Sequence, residues 1–365
     1  MTARRLIDVI REEIREAGPM PVARFMALAL GHPALGYYAT RDPLGRDFTT
    51  APEISQMFGE VIGAWLADAW DRMGRPDPVH LVELGPGRGT LLADALRAAA
   101  GLPHLAAAAH LHLVETSPVL TQTQARTLAP VVARHGYRPP VWHTDIVGIP
   151  AGPLLAVANE FFDALPVRQL VKAHGSWHER CVALAGDDLA FAPSPFAMPD
   201  ETLVPAPLRA APDGAVLELA LAGGAIAQQL AGRIAADGGA ALIIDYGHTR
   251  TGTGDTLQAV RAGAYTDPLA DPGNADITTH VDFQALGEAA HHAGAAVFGP
   301  VGQGDFLTAL GIRQRADALT RAASPTQRRD IASALTRLTA ADQMGRLFKA
   351  MAIASPGLAV AGFGQ

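Results

Sequence analysis

One segment constrains this chain more than any other: Val82-Glu83-Leu84-Gly85-Pro86-Gly87-Arg88-Gly89-Thr90. A short apolar run at 79–84 precedes it and a helix-forming run at 90–100 follows. Glycines at such a strand-to-helix turn let the backbone reverse tightly and let a ligand approach main-chain atoms. Many such turns use glycine for packing alone, so its detail matters. The spacing is Gly-x-Gly-x-Gly, and Thr90 stands where the dinucleotide fingerprint Gly-x-Gly-x-x-Gly needs its third glycine. Glu83 lies two residues before Gly85, where a pyrophosphate would meet a carboxylate. S-adenosylmethionine has no phosphate and carries an ammonium and a sulfonium, which an acid favours. The loop therefore points to S-adenosylmethionine ahead of a nicotinamide dinucleotide.

The pattern around the loop predicts an α/β fold. Apolar runs at 111–115, 140–143, 154–158 and 241–245 read as further strands, separated by helical stretches. Ser117-Pro118 opens one helix, with Ser as N-cap and Pro in the first turn. Strands alternating with helices give a parallel, Rossmann-like sheet. Residues 1–75 read as a helical N-terminal cap region and 76–365 as the core. In the cap, Leu6, Ile7, Ile10 and Ile14 space a helix over 3–17, and 22–30 forms a second. Residues 31–52 read as loop. Thr50-Ala51-Pro52-Glu53 matches a capping box that opens a long helix through Trp65 to Gly74. In the core, 167–193 reads as a β-meander within an insertion of about 167–215, with 194–214 as Pro-rich loop. Helices are expected at 220–236 and 281–293, a long loop at 247–280, and late strands at 295–298 and 347–355.

Composition narrows the function. Of 365 residues, 49% are hydrophobic and 18% charged, enough for a large core and unlike a disordered chain. A net charge of −7 without a basic stripe argues against nucleic acid. Cys181 is the only cysteine, which excludes an internal disulfide and a Cys-rich zinc site and suits reducing cytoplasm. No apolar run reaches membrane-spanning length, and the N-terminus interleaves acids with bases, unlike a secretion or transit signal. His110/His112 and His291/His292 lack the spacing of a helical zinc pair and read as structural.

Candidate site residues follow from the sheet, because open α/β sheets bind ligands beyond the carboxyl ends of their strands. Glu115 ends the second strand, where an acid meets ribose hydroxyls; it equally suits the helix start at Ser117. Asp145 follows the third strand, facing an adenine amino group or simply solvent. The fourth strand ends in Asn159-Glu160-Phe161-Phe162-Asp163, where a methyl acceptor belongs. Carboxylates at Glu160 and Asp163, with Asn159, would orient an acceptor and stabilise the positive charge growing on it. The two phenylalanines suit core packing, or flanking of a planar cation. His248 ends the fifth strand as a solvated histidine or a base.

These residues lie in longer runs. Gly36-Tyr37-Tyr38, Asp47–Glu60 (DFTTAPEISQMFGE), the 83–89 loop, Asn159–Val167 (NEFFDALPV), Asp245-Tyr246-Gly247 and Asp276–Phe283 (DITTHVDF) together resemble the MidA-like class I methyltransferases. That family includes a mitochondrial complex I assembly factor acting as a protein arginine methyltransferase. The resemblance spans nearly the whole chain. It implies a Rossmann-like class I core with a helical N-terminal region and an inserted subdomain. It implies S-adenosyl-L-methionine contacts from Glu83, Gly85, Pro86, Gly87, Gly89, Glu115, Asp145 and Asn159. For the eukaryotic members it implies arginine methylation of a respiratory complex I subunit. Two departures stand out. The loop before Asp47 is shorter than the family pattern, and no hairpin carries the two spaced glutamates of the main arginine methyltransferases. The other readings are a non-catalytic assembly factor that binds the cofactor and a small-molecule methyltransferase. A protein acceptor suits the extended N-terminal region and the meander, and pairing of two copies through the 167–193 strands stays open.

Overall fold

A computed structural model describes residues 4–40, 50–199 and 201–364. Asp47, Phe48, Thr49 and the shortened loop before them lie outside the described residues. The expected N-terminal helices are α1 (Leu6–Ala17) and α2 (Val22–Gly31). Leu6, Ile10 and Ile14 form the buried stripe of α1, the spacing that keeps one helical face apolar. Residues 37–40 add a short helical turn within the stretch read as loop. Helix α3 (Ala51–Ile54) breaks at extended Ser55 and restarts as α4 (Gln56–Arg72), with Ser55 Oγ accepting from Met57 N at 3.2 Å. The capping box read at Thr50 does not form. Thr50 makes no side-chain cap bond, and Glu53 accepts from Thr90 Oγ1 at 2.6 Å instead. Glu53 is drawn away to the glycine loop.

Eleven strands carry the argument. β1 (Val79–Leu84), β2 (Ala109–Val114), β3 (Val141–His143) and β4 (Leu154–Asn159) belong to the central sheet. β5 (Arg168–Ala173), β6 (Ser176–Ala185), β7 (Asp188–Ala197) and β8 (Val216–Leu219) form an antiparallel second sheet. β9 (Gly239–His248), β10 (Ala296–Gly302) and β11 (Phe348–Ala354) complete the central sheet. Its order is β10-β11-β9-β4-β1-β2-β3. The five strands from β9 to β3 are parallel, and β11 and β10 are antiparallel additions. β1 and β4 are buried along their whole length, as parallel strands covered by helices on both faces must be.

On one face lie α4 and the two helices that follow β1 and β2, α5 (Thr90–Ala99) and α6 (Pro118–His135). The other face carries α7 (Leu221–Asp237) and α8 (Phe283–His292). α4 approaches α5 closely at Gly63, where a Cβ would stand 2.3 Å from the Ala95 carbonyl oxygen.

The second sheet takes in the N-terminus. Met20 and Pro21 pair with Val182 and Cys181 of β6. β7 runs through 194–197, read as loop from its prolines. Pro193 and Pro195 are tolerated because β7 pairs only with β6 among the described residues, and an edge strand can spare donors. The 247–280 segment carries a small antiparallel patch of 258–261, 264–266 and 276–278. The helices Ile312–Ala322 and Pro325–Thr339 were not read from sequence; each buries only two side chains, too few for a periodic signal. No helix among the described residues is long and apolar enough to cross a membrane.

The chain leaves β1 toward β2 on one side and returns through β4 on the other. That reversal of strand order opens a crevice at the carboxyl ends of β1 and β4.

Candidate active site

Three glycines shape the loop at that crevice. Gly85, Gly87 and Gly89 have φ of 62°, 52° and 80°, left-handed conformations that side-chain-bearing residues adopt at a cost. Gly85 is also sterically closed: an added Cβ would lie 2.7 Å from Phe161 Cδ2. Gly89 is the N-cap of α5, packs toward Gln124 and stays off the cavity wall. The cavity above the loop holds about 380 Å³, within the range of small-molecule sites. Glu83, Gly85, Pro86, Gly87, Glu115, Asp145, Asn159 and Glu160 all line it.

Glu83 and Asn159 share one side of the cavity. Glu83 pairs in register with Val157, and alternation puts Asn159 on the same face two residues on. Both are buried, and among the described residues no donor reaches Glu83 Oε2 or Asn159 Oδ1. Burial pushes the Glu83 carboxyl up to about 8, against the pull of the Leu92 N–H. Two buried acceptors without donors are costly, and an ammonium offers three N–H donors. The pair therefore fits the amino group of S-adenosylmethionine.

Glu115 meets the helix start and also faces the cavity. Its Oε1 accepts from Ser117 N at 2.7 Å, and the side chain also lines the cavity. Gln124, unremarked in the sequence, ties the wall together. Its Nε2 donates to Glu115 Oε2 (3.0 Å) and to the Gly87 carbonyl (2.8 Å), and its Oε1 accepts from Trp142 Nε1 (2.8 Å). A mid-helix glutamine carries no signal that would single it out. Asp145 is exposed on the rim, where Oδ1 accepts from Val147 N and Gly148 N at 2.9 and 3.2 Å.

Next to Asn159, Glu160 is held in a left-handed conformation with φ 50°. Its Oε1 accepts from Ala51 N at 2.9 Å and from Asn159 Nδ2 at 3.1 Å. Burial pushes its carboxyl up to about 7, and the nearby Asp163 adds to the rise. Asp163 itself is buried behind the wall rather than on it, and burial raises its carboxyl too. Phe161 lines the cavity, whereas Phe162 packs into the core. Tyr38 and Glu53 also line the cavity, and the Tyr38 hydroxyl donates to Asp276 Oδ1 at 2.8 Å.

His248 stands outside the cavity, 3.7 Å from Asp282. His112 links to His80 (3.0 Å) and His143 (2.9 Å) in a chain beneath β1, β2 and β3. Among the described residues no group of His, Cys, Asp and Glu could hold a metal ion.

Glu83 has a measurable signature. An acid whose carboxyl is raised from 4.5 to about 8 on folding holds its proton more tightly in the folded state. Stability is therefore lost as pH rises through that window. Glu83→Gln is expected to melt above the parent at pH 8, with the gap closing toward pH 4.5. Scanning calorimetry across pH checks this; equal melting profiles would contradict the burial of an unpaired acid.

Residues 61–301 match the model of the S-adenosyl-L-methionine-dependent methyltransferase family. The chain is 39% identical over 370 residues to a Drosophila melanogaster protein named protein arginine methyltransferase NDUFAF7 homolog, mitochondrial, covering 95% of this chain and 84% of that one. It is 36% identical over 370 residues to human protein arginine methyltransferase NDUFAF7, mitochondrial, covering 93% and 81%. Among solved structures, a COG1565 superfamily member from Burkholderia thailandensis bound to S-adenosyl-homocysteine superposes with a TM-score of 0.81 at 31% identity, covering 98% of this chain and 93% of that one.

Proposed function

Since this chain belongs to the S-adenosyl-L-methionine-dependent methyltransferase family, we propose that the acceptor its reaction serves is an arginine side chain of a protein. The observation that carries this reading is Glu160, a half-buried carboxylate on the cavity wall beside Asn159. A fixed acid there favours a cationic acceptor and can hold a guanidinium through hydrogen bonds. The names of the relatives agree with it.

In this reading the lining residues divide the work. Glu83 and Asn159 take the ammonium of the cofactor, Glu115 its ribose hydroxyls and Asp145 its adenine amino group. Gly85, Pro86 and Gly87 let main-chain atoms approach, and Gly89 starts the helix behind them. The cofactor supplies a methyl group on a sulfonium. As a guanidinium nitrogen took that methyl, the carbon–sulfur bond would break, the sulfide would leave neutral, and the proton shed by the nitrogen would pass to the Glu160 carboxylate. Glu160 orients the acceptor and stabilises the arriving charge, preorganised by Asn159 and Ala51. Asp163 acts from behind by raising the basicity of Glu160. By family resemblance, a respiratory complex I subunit is the first acceptor to try.

The test is chemical. Protein extract from cells lacking this gene is incubated with the enzyme and methyl-tritiated S-adenosylmethionine, then hydrolysed to amino acids and separated. Label in methylated arginine is expected. Label confined to another amino acid, or to small molecules, would replace the arginine reading.

A further inference from the structure

The turn that presents Glu160 is anchored by a residue with no role in the chemistry described so far. Asp245 lies near the carboxyl end of β9 and is fully buried. Its Oδ2 accepts from three successive main-chain N–H groups, of Phe161 (3.1 Å), Phe162 (3.0 Å) and Asp163 (3.3 Å). Its Oδ1 accepts from Tyr246 N at 2.9 Å. One residue earlier the strand ladder itself reaches across, with Glu160 N donating to the Ile244 carbonyl at 2.9 Å.

Three consecutive N–H groups converging on one oxygen make a concave, nest-like anion site. Glu160, at φ 50°, sets the direction in which the chain enters it. A left-handed non-glycine residue persists only where its surroundings over-determine it. Here the Ile244 carbonyl takes the Glu160 N–H and the Asp245 carboxylate holds the turn that follows. Without that carboxylate the three donors lose their acceptor and the turn loses the reason for its strained residue. The turn carries two walls of the site: the Glu160 carboxylate, and the Phe161 ring that closes on Gly85.

We propose that Asp245 is a positioning residue of the methyl-transfer site, whose carboxylate oxygen fills the nest of the 161–163 turn and thereby aims Glu160 into the cavity. The distinction that matters is between an oxygen in the right place and a negative charge nearby. Asp245→Asn keeps an oxygen for the three N–H groups and drops the charge. Asp245→Glu keeps the charge and displaces the oxygen by one methylene. The readout is the Glu160 carboxyl itself, followed by carbon NMR in protein labelled at the glutamate side-chain carboxyl and assigned with Glu160→Gln.

In the parent, the Glu160 signal is expected to titrate near 7. Positioning predicts that Asp245→Asn retains a titration well above 4.5, and that Asp245→Glu and Asp245→Ala drop it toward the ordinary 4.5 as the side chain swings into solvent. The same two variants should weaken S-adenosyl-homocysteine by about tenfold in calorimetry, the equivalent of one buried donor left unpaired. The opposite order, with Asp245→Asn collapsing to the ordinary range and Asp245→Glu matching the parent, would overturn the proposal in favour of a charge effect. Asp245→Asn alone decides the matter if the other two fail to fold. The inference rests on Glu160 serving the acceptor, but its measurement needs no acceptor. A Glu160→Gln enzyme with undiminished turnover would undo that role of Glu160 and leave the anchoring of the turn intact.

Discussion

Gly85→Val is expected to abolish cofactor binding in a protein that still folds. The substitution meets two obstacles at once. Gly85 has φ 62°, where a side chain costs about 1–2 kcal/mol, and more for a β-branched one. Its Cβ would stand 2.7 Å from Phe161 Cδ2, so either the ring or the loop must move. Both border the cavity. A combined cost of about 3 kcal/mol is more than a hundredfold in affinity. The sheet beneath is not involved, because Val79–Leu84 and its neighbours keep their ladders. Isothermal titration with S-adenosylmethionine, beside a melting curve, checks this. Saturable binding within tenfold of the parent would mean that the cofactor sits elsewhere.

Glu160→Gln should lower turnover by about 10²–10³-fold, the usual loss when one preorganised electrostatic partner of a transition state is removed. Cofactor affinity should stay within about threefold, since the exchange is isosteric and an amide oxygen can still accept from Ala51 N. The pH dependence separates this role from a packing defect. Glu160 must be ionised to hold a cation, and burial places its carboxyl near 7. Below that pH the neutral acid loses its hold, so kcat/KM rises with pH and levels above about 7. Glu160→Gln should flatten that limb. A variant with the parental limb would assign it to another group.

What was legible in the sequence was local. The glycine loop could be read because left-handed backbone leaves glycine as its mark, and all three glycines have positive φ. Strands β1, β2 and β4 could be read because strands buried on both faces show as unbroken apolar runs. The Thr50–Glu53 capping box failed because the same glutamate has a better partner in Thr90, a contact between residues 37 apart. Gln124, and the anchoring contacts of Asp245, went unread for the same reason. Each matters through main-chain groups far away in sequence, the 161–163 turn lying 82 to 84 residues from Asp245. The late helices were missed because two buried side chains apiece make no stripe. Asp163 entered as a candidate beside Glu160 on spacing alone; the turn places one on the wall and the other behind it.

The pairing of Met20 and Pro21 with Val182 and Cys181 also sets an order of events. The N-terminal helices leave the ribosome well before their partner strand, which is synthesised some 160 residues later (from 20 to 182). Until then the apolar faces of Ile10, Phe25 and Met26 have no sheet to cover them. Closing so long a loop carries an entropic cost that no local contact offsets beforehand. Docking of the N-terminal segment therefore waits for β6, and its loss would uncover β6 at Cys181 and Val182.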